Sequence, residues 1–463
     1  MTHKGILADT IAAPATPYGV GAIGIIRISG PEAETIGLNL FRPKRAPSKY
    51  ISHHLYHGDI IAPETGTVLD EVLFTVMRKP HSYTGEDTVE IQCHGGPAVM
   101  DAVLKAALAS GARPAEPGEF TKRAFLNNRM DLSQAEAVIH LIHGKTQRGI
   151  TLALSHLKGG LSHAIQSLRS TLIEVLSHIE MTIDFTEEEI EQSPTPGLPG
   201  MIQQVIDDIT NILATYREGK IAGSGLTVII TGKPNVGKSS LLNRMLGEQR
   251  AIITPIPGTT RDFIEGNVLI RGIPVTLIDT AGIRNGTDII EQEGIRLVWE
   301  KASTADVIII LLDGSTELTD EDREIIERNR GKESLVVINK SDLPQRLDDR
   351  DVEAIISRKP YHISAKHGDG IDGLTERLYG IASKALENDG QIDVVLINLR
   401  HKRAFEKALE HLRNARSALE QGISPEFSAL DIRDALDALG EIIGETTAED
   451  VLERIFSTFC IGK

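Results

Sequence analysis

Residues 226–246 read LTVIITGKPNVGKSSLLNRML, and this stretch decides how the centre of the chain folds. A β-prone apolar run leads into Gly232-x-x-x-x-Gly237-Lys238-Ser239, and apolar residues at helical spacing follow. Strand, glycine-rich turn and helix in that order are the setting a phosphate-binding loop needs. The glycines let the N–H groups of Asn235, Val236, Gly237, Lys238, Ser239 and Ser240 turn toward phosphate oxygens at a helix N-terminus, where the peptide dipoles favour negative charge. Lys238 is expected to bridge the β- and γ-phosphates, and the Ser239 hydroxyl to ligate magnesium.

Working outward, three more motifs keep the order this chemistry requires. The segment Thr254-Pro255-Ile256-Pro257-Gly258-Thr259-Thr260-Arg261-Asp262 supplies a switch threonine, Thr260, whose hydroxyl can reach magnesium when the γ-phosphate is present. VTLIDTAG ends a strand at Asp279, beside the metal, and runs through Thr280 and Ala281 to Gly282, whose N–H can bond the γ-phosphate. VVINKSD then places Asn339, Lys340 and Asp342 after an apolar strand, with Ser364-Ala365-Lys366 beyond. Asp342 can accept two hydrogen bonds from guanine N–H groups that adenine lacks, so the nucleotide is expected to be GTP. Ile283 stands where Ras-type GTPases carry a water-orienting glutamine, so another group must orient water. Glu291, in the polar segment after DTAG, is the candidate; the alternative is a solvated acid in a first helical turn.

The chain has 463 residues, 41% hydrophobic and 25% charged, which suggests about three domains. No window approaches the roughly 20 apolar residues that span a bilayer, and Cys93 and Cys460 form no CxxC pair, so a cytoplasmic protein without disulfides is expected. The formal net charge of −16 opposes diffuse attraction to RNA, so any nucleic-acid contact must be local. Arg42, Lys44, Arg45 and Lys49 form the best basic stretch and read as a solvated loop.

Residues 1–119 are β-rich with helical stretches, an α+β domain. From Leu154 to Ile183, apolar residues recur every three or four positions, the pattern of one long amphipathic helix. A second helical region, with Phe405, Leu409, Leu412 and Leu419 on one face, closes the chain. Two amphipathic sets most simply cover each other's stripes. This predicts a helical domain of residues 120–216 and 381–463, a bundle into which an α/β P-loop GTPase domain of residues 217–380 is inserted.

Taken together, GKPNVGKSS, GTTRD, DTAGIR, NKSD, SYTGEDTVEIQCHGGP, PGEFTKRAFLNNRMDLSQAEA and the terminal FCIGK make the chain resemble, over its whole length, the MnmE (TrmE) tRNA modification GTPases. The last three are far more specific than the nucleotide motifs. The resemblance implies an N-terminal domain that binds a tetrahydrofolate derivative, 5,10-methylene- or 5-formyl-tetrahydrofolate, and mediates homodimerisation. It implies modification at carbon 5 of the wobble uridine of certain tRNAs, an aminomethyl or carboxymethylaminomethyl group, with the FAD-containing partner MnmG. By position it assigns potassium to Asn235 with Thr254, Ile256 and Thr259, folate to Arg27, Glu90, Arg129 and Lys463, and water activation to Glu291. Cys460, in the family's terminal motif, becomes a candidate for a direct chemical part; from the residues alone it reads as a small buried apolar side chain.

Three other patterns lead elsewhere. Gly19-x-Gly21-x-x-Gly24 matches a dinucleotide fingerprint, but the strand-like IIRIS follows it rather than a helix. His53, His54 and His57 would split across two faces of a strand. His94-Gly-Gly-Pro has no GxSxG nucleophile elbow to serve. The competing function is an Era-type ribosome-assembly switch; it would carry a basic RNA-binding module, whereas the flanks here are acidic.

Overall fold

The computed structural model describes residues 9–184, 197–248, 265–279, 305–387 and 395–463. The chain forms two compact units: residues 1–139, 156–205 and 407–463, and residues 140–155 and 206–406. The second unit thus gathers helical segments from both sides of the nucleotide motifs. No helix among the described residues is long and apolar enough to cross a membrane.

The first unit is built on a mixed sheet. Its strands are β1 (Ile11–Pro14), β2 (Ile23–Ser29), β3 (Phe41–Pro43), β4 (Leu55–Ile61), β5 (Val68–Met77), β6 (Thr88–His94) and β7 (Arg113–Pro114), in the order β3-β4-β5-β6-β2-β1-β7. Helices Ala33–Leu40 and Pro97–Ala109 cover one face, where Ile26, Ile28, Phe74, Val89 and Ile91 are buried. Phe41 stacks on Phe74 with centroids 4.4 Å apart, and Tyr50 meets both rings edge-on. Such pairs contribute about 0.5–1.5 kcal/mol beyond their burial.

The expected long helix is two, Gln147–Leu157 and Gly160–Asp184, and the compact units change over between Ser155 and His156, near the end of the first. Gly159 has φ of 90°, which no helical residue adopts, so the apolar period continues across a break in the backbone. The second of these helices buries Leu161, Ile165, Leu168, Leu172, Val175 and Ile179. It packs on Pro425–Ile443, with Arg169 donating to Leu436 O at 2.5 Å and Arg433 pairing with Glu180 at 2.6 Å. The two amphipathic sets do cover each other.

The second unit holds strands β8 (Leu226–Thr231), β9 (Glu265–Ile270), β10 (Ile273–Asp279), β11 (Val307–Asp313), β12 (Ser334–Asn339) and β13 (Tyr361–His362), ordered β13-β12-β11-β8-β10-β9. All neighbours are parallel except β9 and β10. β11 shows why its sequence is continuously apolar: Val307, Ile309 and Leu311 join one core, Ile308, Ile310 and Leu312 the other. A parallel strand covered on both faces has no polar side to alternate with.

Candidate functional site

Among the described residues, the phosphate loop, Asp279, the Asn339–Asp342 segment and Ser364–Lys366 lie at the C-terminal ends of the parallel strands β8, β10, β12 and β13. The phosphate loop leaves β8 and enters the helix Lys238–Glu248, with Gly232, Asn235 and Gly237 at φ of 147°, 64° and 101°. Lys238 is buried and donates from Nζ to Gly232 O at 2.8 Å and Lys233 O at 2.7 Å. Burial lowers its pKa from the ordinary lysine value, and the nearby Asp279 carboxylate opposes that shift. The Ser239 hydroxyl donates to Asp279 Oδ2 at 2.7 Å, joining the phosphate loop to the end of β10. Two hard oxygen groups side by side are the donor chemistry magnesium takes.

Asn339, at the end of β12 and 3% exposed, spans the site. Its Nδ2 donates to Val236 O at 2.7 Å, and its Oδ1 accepts from Ala365 N–H at 2.9 Å. One amide therefore ties the phosphate loop to the base loop. A Cβ on Gly237 would collide with Asn339 Nδ2, so that glycine is required by the clasp as well as by its φ.

Lys340 adopts φ of 65° and pairs with Asp313 at 2.5 Å. Asp342 accepts from Ser364 Oγ at 2.7 Å, and this bond first, aided by His367 and Lys366, holds its carboxyl below the usual range. It is an acceptor at neutral pH, as guanine recognition needs. Arg244 donates to the carbonyls of Ala365 and Lys366, a brace that no motif in the sequence announces. Thr254, Pro255, Ile256, Pro257, Gly258, Thr259, Thr260, Thr280, Ala281, Gly282, Ile283 and Glu291 lie outside the described residues.

In the first unit a separate cluster forms around Arg27. Arg27 on β2 stands opposite Glu90 on β6 and pairs with it at 2.8 Å. Its guanidinium also lies 5.2 Å from the Tyr83 ring centre and 5.6 Å from that of Phe120, and Nη1 faces Gly462 O at 3.4 Å. The C-terminus thus runs into the N-terminal sheet. Lys463 is half-buried there; burial first, then repulsion by Arg27, lowers its pKa, while Glu90 opposes. Arg129 is not in that group: its Nε donates to Ser82 O at 3.2 Å, and it lines an adjoining cavity of about 490 Å³ with Ser82, Tyr83 and Gln134. Cys460 is exposed, contrary to its reading as a buried apolar residue. Its backbone is what packs, the carbonyl lying 3.5 Å from Gly118 N.

Behind this cluster sits Arg123, 1% exposed, bonded to Asp9 at 2.7 Å, Glu119 at 2.9 Å and Glu86 at 3.3 Å. Three carboxylates around one guanidinium hold the 82–87 loop that carries Tyr83. SYTGED and PGEFTKR were conspicuous segments, but neither spells out that their acids and arginine meet.

A phosphate loop and an NKxD loop clasped by one asparagine, at the C-terminal edge of a parallel sheet covered on both faces, define a P-loop GTPase. The chain belongs to the MnmE family of tRNA modification GTPases. A family model for the MnmE helical domain matches residues 132–460, and one for the GTP-binding protein TrmE N-terminus matches residues 10–129. A tRNA modification GTPase MnmE from Syntrophus aciditrophicus is 54% identical over 99% of this chain and 100% of the relative. One from Syntrophotalea carbinolica is 46% identical over 98% of this chain and 99% of the relative. Among solved structures, the G domain of the T. maritima FeoB iron transporter is 23% identical, covering 34% of this chain and 98% of that one, with a TM-score of 0.27. Aquifex aeolicus Era is 27% identical, covering 40% of this chain and 66% of that one, with a TM-score of 0.26.

Proposed function

We propose that this chain is a magnesium-dependent, potassium-stimulated GTPase whose cycle drives modification of carbon 5 of the wobble uridine in certain tRNAs. It acts in the cytoplasm as a homodimer, with the FAD protein MnmG and a tetrahydrofolate one-carbon donor. The observation that carries the nucleotide half is the Asn339 amide, which holds phosphate loop and base loop in one geometry. The tRNA half rests on family membership across both matched segments.

In this reading Lys238 neutralises the β- and γ-phosphates, and Ser239 with Thr260 holds magnesium. Asn235, exposed in a left-handed conformation on the phosphate loop, offers its amide oxygen to potassium together with Thr254, Ile256 and Thr259. A monovalent cation there supplies positive charge that an arginine finger provides in other GTPases. Glu291 orients the attacking water in place of the glutamine that Ile283 replaces.

Arg27, Glu90 and Lys463 bind the folate, with Arg129 at its edge. The Arg27 guanidinium against the Tyr83 and Phe120 rings, with the Glu90 carboxylate paired to it, suits a flat heterocyclic anion, which can stack while its polar edges are paired. Bound there, the folate supplies a one-carbon unit, and Cys460 lies on the same C-terminal tail. The test is mass analysis of tRNA nucleosides from cells lacking this protein. Loss of the aminomethyl-type wobble uridines is expected, and an unchanged nucleoside profile refutes the reading.

A further inference from the structure

The GTPase unit carries a second concave surface, at the end of the sheet away from the nucleotide. Asn339 closes β12 at the nucleotide end, while Ser334, Leu335 and Val336 at its start line a cavity of about 640 Å³. Five residue steps of extended chain put roughly 17 Å between the two ends. Arg330, Lys332, Arg358, Lys359 and Arg377 share the cavity wall. A neighbouring cavity of about 370 Å³ uses Arg358 and Arg377 again and adds Arg217 and Lys384.

Against these seven cations the two walls set three acids, Glu218, Glu327 and Glu333, a surplus of four positive charges (seven minus three). The chain as a whole carries −16. Arg330 is paired with Glu327 at 3.1 Å and Arg217 with Glu333 at 3.6 Å. Among the described residues, Lys332, Arg358, Lys359, Arg377 and Lys384 meet no carboxylate at salt-bridge distance, and the buried Arg377 Nε has no acceptor.

One ordinary use of such cations is to complement helix C-termini. The helices Asp320–Arg328 and Asp349–Ile356 do end at this rim. Each terminus brings about −0.5 elementary charge, so two offset about one of the four surplus charges and leave about three. By contrast, Lys44 in the basic stretch near the N-terminus is already paired, with Asp59 at 2.8 Å and Glu71 at 3.8 Å. Unpaired cations around a polar concavity match phosphate oxygens.

We propose that this groove binds the phosphate backbone of RNA, on the face of the GTPase unit that leaves the nucleotide site open. The proposal rests on the reading of the chain as a tRNA-modifying GTPase and adds to it a place of contact. An overall negative chain can hold RNA only where cations are concentrated, and here they are.

The test uses the full chain with Lys332→Ala, Arg358→Ala and Lys359→Ala combined, all three being exposed side chains. Binding of an in vitro transcribed tRNA is followed by fluorescence anisotropy between about 50 and 200 mM salt, the range over which phosphate contacts lose most affinity. Losing three contacts should weaken binding by about tenfold or more and flatten the plot of log affinity against log salt by roughly two to three, at about 0.7–0.9 per contact. GTP affinity and thermal unfolding should be unchanged. Equal affinity and slope in variant and wild type would overturn the proposal, as would a wild type that binds no tRNA. Lost modification with intact RNA binding would also overturn it, because the groove would then face a protein. The nucleoside profile of cells lacking the chain does not depend on any of these results, so groove and function fail separately.

Discussion

Replacing Asn339 by alanine tests the clasp at its centre. The amide is buried and serves two partners, Val236 O at 2.7 Å and Ala365 N–H at 2.9 Å. Alanine leaves a buried carbonyl and a buried N–H, each costing about 1–3 kcal/mol when unsatisfied. Water entering the gap recovers part of this, so about 2–4 kcal/mol is expected in total. Because Val236 and Ala365 belong to the phosphate and base loops, the loss falls on the nucleotide-binding geometry. At about 1.4 kcal/mol per tenfold, affinity for GDP and GTP should drop roughly 30- to 1,000-fold. Titration with a fluorescent guanine nucleotide measures this directly, and the thermal unfolding temperature without nucleotide should also fall, because both bonds belong to the fold itself. Asn339→Asp should do no better than alanine, since it turns an acceptor toward Val236 O. Affinity within threefold of wild type for the alanine variant would refute the clasp.

Asp342→Asn should weaken GTP and admit xanthosine triphosphate, whose ring offers the complementary acceptor; competition binding showing an unaltered preference would remove Asp342 from base recognition. Hydrolysis should be much faster in potassium than in sodium at equal ionic strength, and Asn235→Ala should erase the difference, as a phosphate-release assay in the two salts will show. Deleting Cys460 to Lys463 should abolish folate binding, measured by calorimetry, and impair tRNA modification, while GTP affinity stays within a few fold because the tail belongs to the other unit. Glu291→Ala should leave GTP affinity within a few fold but slow single-turnover hydrolysis by on the order of a hundredfold, the scale for losing a positioned base. Asp288→Ala and Glu293→Ala are its controls, and equal slowing by all three would point to segment charge instead.

What the sequence determined by itself is the local chemistry. A phosphate loop is a backbone conformation set by a few consecutive residues, so GKPNVGKSS specifies its turn and its helix without reference to the rest of the chain. Periodicity was weaker where one residue could interrupt it: the stripe from Leu154 to Ile183 keeps its spacing while Gly159 breaks the helix. Hydrophobic period reports which side chains face a core, and backbone continuity is a separate matter.

Only the tertiary structure decided the meetings between distant segments. Arg27 and Gly462 lie 435 residues apart in the chain, and no spacing rule connects them. The Asn339 clasp was legible as a motif, but its two partners were not, since Val236 and Ala365 come to it from different loops. The basic groove is the extreme case. Its cations come one or two at a time from four segments of an acidic chain, and each alone looks like an ordinary solvated side chain. Charge acts through space with a reach of about 8–10 Å at ordinary salt. Folding therefore sets which charges add, and linear composition cannot.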